Sequence, residues 1–232
     1  YKIISPFLAG LPFIAPDYSS AWLLKDVQME YLQEKFAKKG LMILYTAPWP
    51  GQGFYTKFPV NSVSDFKGKK LRIYSTATQQ MGSMLGFNAT ILPFAEIPQA
   101  FSTGLIEALF TSPQTGIDIQ AWDNTKHFTY AGAIFSKNAV VVTKKAFNAL
   151  SKGDQSNMLA AAKKAELRGW EMSAETTKKQ IGILKKNGMS SKNAPDEVIS
   201  KMKSIGLEMM KNWRSKASPE ANAVLDRYLS MR

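Results

Sequence analysis

The chain has 232 residues, 45% of them hydrophobic, and carries 30 Lys and Arg against 18 Asp and Glu, a net charge of +12. Such a length and apolar content can build a buried core in one or two domains. With no Cys and His127 as its one histidine, it does not fit a disulfide scaffold, a Cys–His zinc centre or a His-dependent catalytic triad.

Residues 1–16 are apolar and hold three prolines, Pro6, Pro12 and Pro16, which predicts a loop or irregular strand. Residues 17–39 predict a helix: Asp17 or Ser19 can cap it, Trp22, Val27, Tyr31 and Phe36 give an apolar face, and Gly40 suits its C-terminal end. The apolar run 41–46 predicts a buried strand. Residues 47–55, Ala-Pro-Trp-Pro-Gly-Gln-Gly-Phe-Tyr, have the composition of a loop that can approach a ligand closely. Residues 71–74 predict a second strand, 76–85 a helix ending at Gly86, 89–92 a strand and 96–105 a helix. An apolar run, 106–110, follows, then Thr111-Ser112-Pro113 breaks the pattern. A helix is expected over 115–124 and a β-branched strand over 139–143. Ser151 and Asp154 open a long helix reaching about Asn187, and two more fit 195–216 and 218–231, with Pro195 and Pro219 in their first turns. Alternating strands and helices define the class as α/β.

Arg72 stands out. Of five arginines, it is the one set in a short apolar strand, Leu71-Arg72-Ile73-Tyr74. A guanidinium there needs a partner, because an unpaired buried charge is costly. Its fork suits a carboxylate or phosphate, supplied either by an Asp or Glu of the chain or by a ligand. Aromatic residues gather near the same predicted strand ends: Trp49, Phe54, Tyr55, Tyr74 and Phe94. In open α/β sheets, ligands bind beyond the carboxyl ends of strands. No Gly-x-Ser-x-Gly, phosphate loop or dinucleotide fingerprint is present, so the reading is a non-enzyme. The positive charge is mostly lysine on solvated helix faces such as Lys178-Lys179 and Lys185-Lys186. No recognition motif accompanies it, so nucleic acid is not an expected partner. A basic binder of nucleic acid or anionic surfaces, and an enzyme acting on a carboxylate substrate, are the alternative readings. The chain starts at Tyr1 without Met or a leader pattern, and reads as a processed or truncated product.

The run from Val63 to Thr78, Val-Ser-Asp-Phe-Lys-Gly-Lys-Lys-Leu-Arg-Ile-Tyr-Ser-Thr-Ala-Thr, resembles the "D-K-G-K-R" signature of the DctP-like periplasmic solute-binding proteins of TRAP transporters. Met84-Leu-Gly86, Leu92-Pro-Phe-Ala-Glu96 and Ala100-Phe-Ser-Thr-Gly-Leu-Ile-Glu107 follow in matching order. So do Lys126-His-Phe-Thr and the segment from Asn138 to Leu150. The resemblance implies a two-lobed periplasmic-binding-protein-like fold with mixed sheets, crossing segments and long helices. It divides the chain into lobe I (1–48 and 138–177, incomplete at its N-terminus), lobe II (49–137 and 178–205) and C-terminal helices (206–232). Tyr1 then corresponds to a point well inside the first domain.

The resemblance further implies that Arg72 pairs with a ligand carboxylate. Phe94 matches a pocket-lining aromatic. Gln52 falls where sialic-acid binders carry a second arginine, which argues against that ligand. Thr111-Ser112-Pro113 replaces a common Gln-Glu-Asn-Pro, so Ser112 stands where an asparagine often contacts ligand. Leu109-Phe110-Thr111-Ser112 replaces the Glu-Trp pair that helps hold a metal in some members, so no metal and no cofactor are expected. The expected ligand contacts are Arg72, Gln52, Trp49, Tyr74, Phe94, Thr111, Ser112 and Asn138. The expected partners are a small organic acid and the TRAP membrane permease subunits, the chain being a monomer or dimer. The expected location is periplasmic (extracytoplasmic), after export by a signal peptide absent from this chain.

Overall fold

The computed structural model describes residues 8–232. The part of the expected N-terminal loop or strand over 1–7 lies outside the described residues. Residues 8–16 hold a short 3-10 turn, Leu8–Gly10, packed into the core.

The elements run α1 (Tyr18–Ala37), β1 (Leu41–Pro48), β2 (Gly53–Thr56), β3 (Lys70–Ile73), α2 (Thr76–Met84), β4 (Asn88–Ile91), α3 (Ile97–Ser102) and β5 (Ala108–Thr111). They continue with α4 (Pro113–Asp118), β6 (His127–Tyr130), β7 (Lys137–Thr143), α5 (Lys144–Asn148), α6 (Lys152–Lys186), β8 (Ser190–Asn193), α7 (Asp196–Arg214) and α8 (Pro219–Met231). Capping follows the sequence. Asp17 accepts from the Ser20 amide at 2.7 Å to start α1, and Ser151 accepts from the Asp154 amide at 3.1 Å to start α6. Gly40, Gly86 and Gly188 follow helices with left-handed φ of 70°, 97° and 86°, where a Cβ would add strain.

The strands form two sheets. A six-stranded sheet has the order β4-β3-β5-β2-β6-β8, and β1 and β7 make an antiparallel pair. In the large sheet β3 runs parallel to β4 and β5, β2 runs antiparallel to β5 and β6, and β8 runs parallel to β6. This mixed arrangement brings the ends of β3, β4 and β5 and the start of β2 to one edge.

Four strands differ from the sequence expectation. β2 lies in the stretch read as a loop, yet all four of its residues are buried between β5 and β6. The Pro and Gly signal before it masked it, and tertiary pairing decided the outcome. β5 takes the apolar run with no assignment, and β6 contains His127. The polar Ser-Ser-Lys-Asn of β8 has no strand propensity and is held at the edge by register with β6 alone. The helix expected over 115–124 stops at Asp118, because Gln120 turns left-handed at φ 48°.

Period-2 alternation gives the sheet two apolar faces. Phe54, Leu71, Ile73 and Phe110 face one core, with Phe66 and Phe87 stacked at 4.5 Å and Phe54 4.9 Å from both Phe66 and Phe110. Tyr55, Leu109 and Phe128 face the other core. Each fully buried Phe contributes roughly 1.5–3 kcal/mol. Arg72 lies between Leu71 and Ile73, opposite Thr90 and Leu109. Its neighbours hold the first face, so its side chain takes the other.

Candidate functional site

A cavity of about 1100 Å³ opens at this strand edge. It is lined by all eight residues singled out above: Trp49, Gln52, Arg72, Tyr74, Phe94, Thr111, Ser112 and Asn138. They come from four places: the segment between β1 and β2, the ends of β3 and β5, the turn after β4, and β7.

Arg72 is 5% exposed. Its Nε donates to the Leu92 carbonyl at 3.0 Å, and this is its one side-chain hydrogen bond among the described residues. None of the ion pairs among the described residues includes it. The intramolecular Asp or Glu partner that its sequence setting left open is therefore not found there. Burial pulls its pKa down from the ordinary arginine value, but a guanidinium remains charged. The Nε contact fixes the fork and leaves its terminal nitrogens for another acceptor.

Beside it runs a relay of neutral groups. The Tyr74 hydroxyl donates to Gln52 Oε1 at 2.8 Å, and Gln52 Nε2 donates to Ser136 Oγ at 3.0 Å. The Gln52 amide is thus held at both ends, and its backbone carbonyl accepts from the amides of Ala131 and Gly132. Burial pushes the Tyr74 phenol up to about 12, so it stays a proton donor at neutral pH. Ser112, buried at the start of α4, accepts from the Thr115 amide at 3.2 Å, and its hydroxyl lies 3.1 Å from Thr115 Oγ1. Its first role is therefore a helix cap. The Tyr55 hydroxyl donates to the Ser112 carbonyl at 3.2 Å. Gly116 makes room for it, since a Cβ there would strike the Tyr55 ring.

Phe94 is 52% exposed and Trp49 half-buried, so both can cover an apolar skeleton. Thr111 is buried and Asn138 is exposed. Sequence reading missed Ser136, Lys137 and Thr115, and a wall made by Met209, Asn212 and Trp213 of α7 with Lys216 just beyond its end. Ser136 and Lys137 stand directly before Asn138, where adjacency was the available signal. The α7 wall is brought in by folding and left no mark in local sequence. Among the described residues, no group of three or more His, Asp or Glu could hold a metal ion.

A mixed sheet, a long helix running past both sheets and a cavity holding a buried arginine at the strand ends define the class: a two-lobed solute-binding protein. The chain belongs to the DctP family, bacterial extracellular solute-binding protein family 7, whose model matches residues 7–216. A Bordetella pertussis extracytoplasmic solute receptor binding pyroglutamic acid is 37% identical with a TM-score of 0.91, over 94% of this chain and 72% of that one. A TRAP solute-binding protein from a marine metagenome, specific for pyroglutamate and solved with the co-purified compound, is 32% identical with a TM-score of 0.90, over 96% of this chain and 74% of that one. A curated solute-binding protein from Chromohalobacter salexigens is 25% identical over 181 residues, 74% of this chain. That match spans 53% of the curated protein's length. The family and these neighbours are solute-binding proteins, not enzymes.

Proposed function

We propose that this chain is the ligand-binding part of an extracytoplasmic TRAP-type receptor that captures a small organic acid and delivers it to a membrane permease. Arg72 carries the reading: it is buried, charged and without a carboxylate partner among the described residues, and it borders a cavity lined by neutral donors. A ligand carboxylate supplies the missing partner as a charge-assisted, bidentate pair. Gln52, Thr111 and Ser112 supply neutral hydrogen bonds, and Trp49, Tyr74 and Phe94 enclose the carbon skeleton. Asn138 contributes from β7. One buried arginine beside neutral hydrogen-bonding side chains suits a monocarboxylate, and the relatives that bind pyroglutamate favour a compact one with a further acceptor oxygen.

The division expected from the sequence, 1–48 with 138–177 and 49–137 with 178–205, serves as the two lobes in this reading, its cut at 177/178 falling within α6 and that at 205/206 within α7. The lobes close over the ligand, exclude water and strengthen the Arg72 pair. Binding requires no metal.

A calorimetric panel of L-pyroglutamate, 2-oxo acids, lactate and dicarboxylates tests the reading. Pyroglutamate or another monocarboxylate should bind at micromolar or tighter affinity, unchanged by a chelator. No binding by any acid, or turnover of a bound acid, would count against it.

A further inference from the structure

Three cations line the cavity: Arg72, Lys137 and Lys216. Lys216 is exposed beyond the end of α7. Lys137 opens β7, in register with Pro48 of β1, and its backbone neighbours Ser136 and Asn138 also line the cavity. Among the described residues its ammonium has no carboxylate within ion-pair distance and no hydrogen-bond acceptor. An ammonium carries three donors, and those of Lys137, half-buried on the cavity wall, are free for an acceptor that enters the cavity.

The charged and titratable groups around it sharpen the point. From α1, Lys25 repels it. The carboxylates beside Lys25, Asp26 of α1 and Glu166 of α6, are engaged by it at 2.6 and 3.4 Å. From β3, Arg72 adds positive charge to the same cavity, and Tyr74 contributes a neutral phenol. Nothing on the packed elements offers Lys137 an anion, while the cavity it borders is proposed to receive one.

We propose that Lys137 is a second ligand contact, donating to an acceptor oxygen of the ligand other than the carboxylate held by Arg72, and that it takes up a proton from solvent as the ligand binds. This rests on the organic-acid reading above and deepens it. The ligand class is a small acid with a second oxygen within reach: a ring carbonyl, a 2-oxo group or a second carboxylate. The Gln52 amide donates irrespective of pH, whereas Lys137 donates to that oxygen best when protonated.

Burial, with Lys25 as the next cause, pulls the Lys137 amine down to about 7. The unliganded protein therefore loses this proton near neutrality. A bound acceptor raises the amine's proton affinity, so the complex holds more protons than the free protein above that pH. Affinity must then fall as pH rises, by up to about tenfold per pH unit.

Titration calorimetry of the full chain with L-pyroglutamate, at pH 6, 7 and 8 in two buffers of different ionisation enthalpy, tests this. Wild type should bind about fivefold more weakly at pH 8 than at pH 7 and take up close to one proton at pH 8. Lys137→Met should bind about tenfold more weakly at pH 6 and take up no proton. Lys137→Arg, which keeps charge and bulk, should bind with an affinity flat in pH. Wild-type affinity flat from pH 6 to 8, or the same proton uptake in Lys137→Met, overturns the role of Lys137 while leaving Arg72 capture intact. No wild-type binding at any pH overturns pyroglutamate as ligand, and the proposed contact with it.

Discussion

Lys25 and Arg72 are two buried cations with opposite surroundings. Lys25 is 4% exposed and Arg72 is 5%. Lys25 sits between Asp26 and Glu166 and lies 3.6 Å above the Trp22 ring. Glu166 also accepts from the Thr46 amide and hydroxyl at 2.9 and 2.7 Å, and the Trp170 indole donates to that hydroxyl at 3.2 Å. This cluster fastens α1, β1 and α6 to one another, and its donors find their acceptors inside the protein. Arg72 has one carbonyl and an open cavity. The same event, burial of a positive charge, is completed internally in one region and left incomplete in the other. Incomplete satisfaction of a buried charge is costly to stability, and it is what makes a region ready for a ligand.

That contrast can be broken by mutation. The largest effect belongs to Glu166→Ala, which strips Lys25 of one partner and leaves the Thr46 amide without an acceptor. It should cost about 3 kcal/mol in urea unfolding, and a loss below about 1 kcal/mol would show the cluster to be marginal. Arg72→Ala should act the other way. Carboxylate affinity should fall at least about 100-fold, near 3 kcal/mol, with Arg72→Lys restoring part of it. The melting temperature without ligand should stay level or rise, since a poorly satisfied charge is removed. Unchanged affinity by calorimetry would return Arg72 to a structural role.

Tyr74→Phe comes next. It frees one end of the Gln52 amide and should weaken binding about tenfold, about 1.4 kcal/mol. The same variant has a smaller signature in alkali. The Tyr74 pKa is raised to about 12, so its contribution to stability is present below the unfolded value near 10 and is lost as pH rises toward 12. Wild type should therefore lose more stability than Tyr74→Phe between pH 10 and 12, as chemical denaturation at stepped pH would show.

The sequence made the helices and the binding edge readable for different reasons. Helix ends carried caps and glycines at Asp17, Gly40, Gly86, Ser151 and Gly188, and local signals of that kind survive folding. Arg72 was legible because a charge in an apolar strand is an inconsistency that only a partner resolves. Trp49, Tyr74 and Phe94 were legible as aromatics at predicted strand ends, Gln52, Thr111, Ser112 and Asn138 came from ordered resemblance, and all of them meet at one cavity. β2 and β8 were not legible. One is a central strand hidden behind Pro and Gly, the other a polar edge that exists through its register with β6. Lys137 was passed over because a lysine beside a strand ordinarily points to solvent, and its place on the cavity wall depends on segments far away in sequence.

One further property follows from α6. It is a single helix of 35 residues, about 52 Å long at 1.5 Å per residue. Glu166 and Trp170 bind it to the β1 side, and Gln180 donates to Gln114 of α4 at 2.9 Å. The helix therefore acts as a ruler graduated in residues: about 15 Å from Trp170 to Gln180 along the axis, with a fixed angle between them. Deleting one residue from that interval would turn Gln180 by about 100° away from Gln114 while shortening the axis by only about 1.5 Å. The phase of this helix, more than its length, keeps the α4 wall of the cavity aligned with the β1 side.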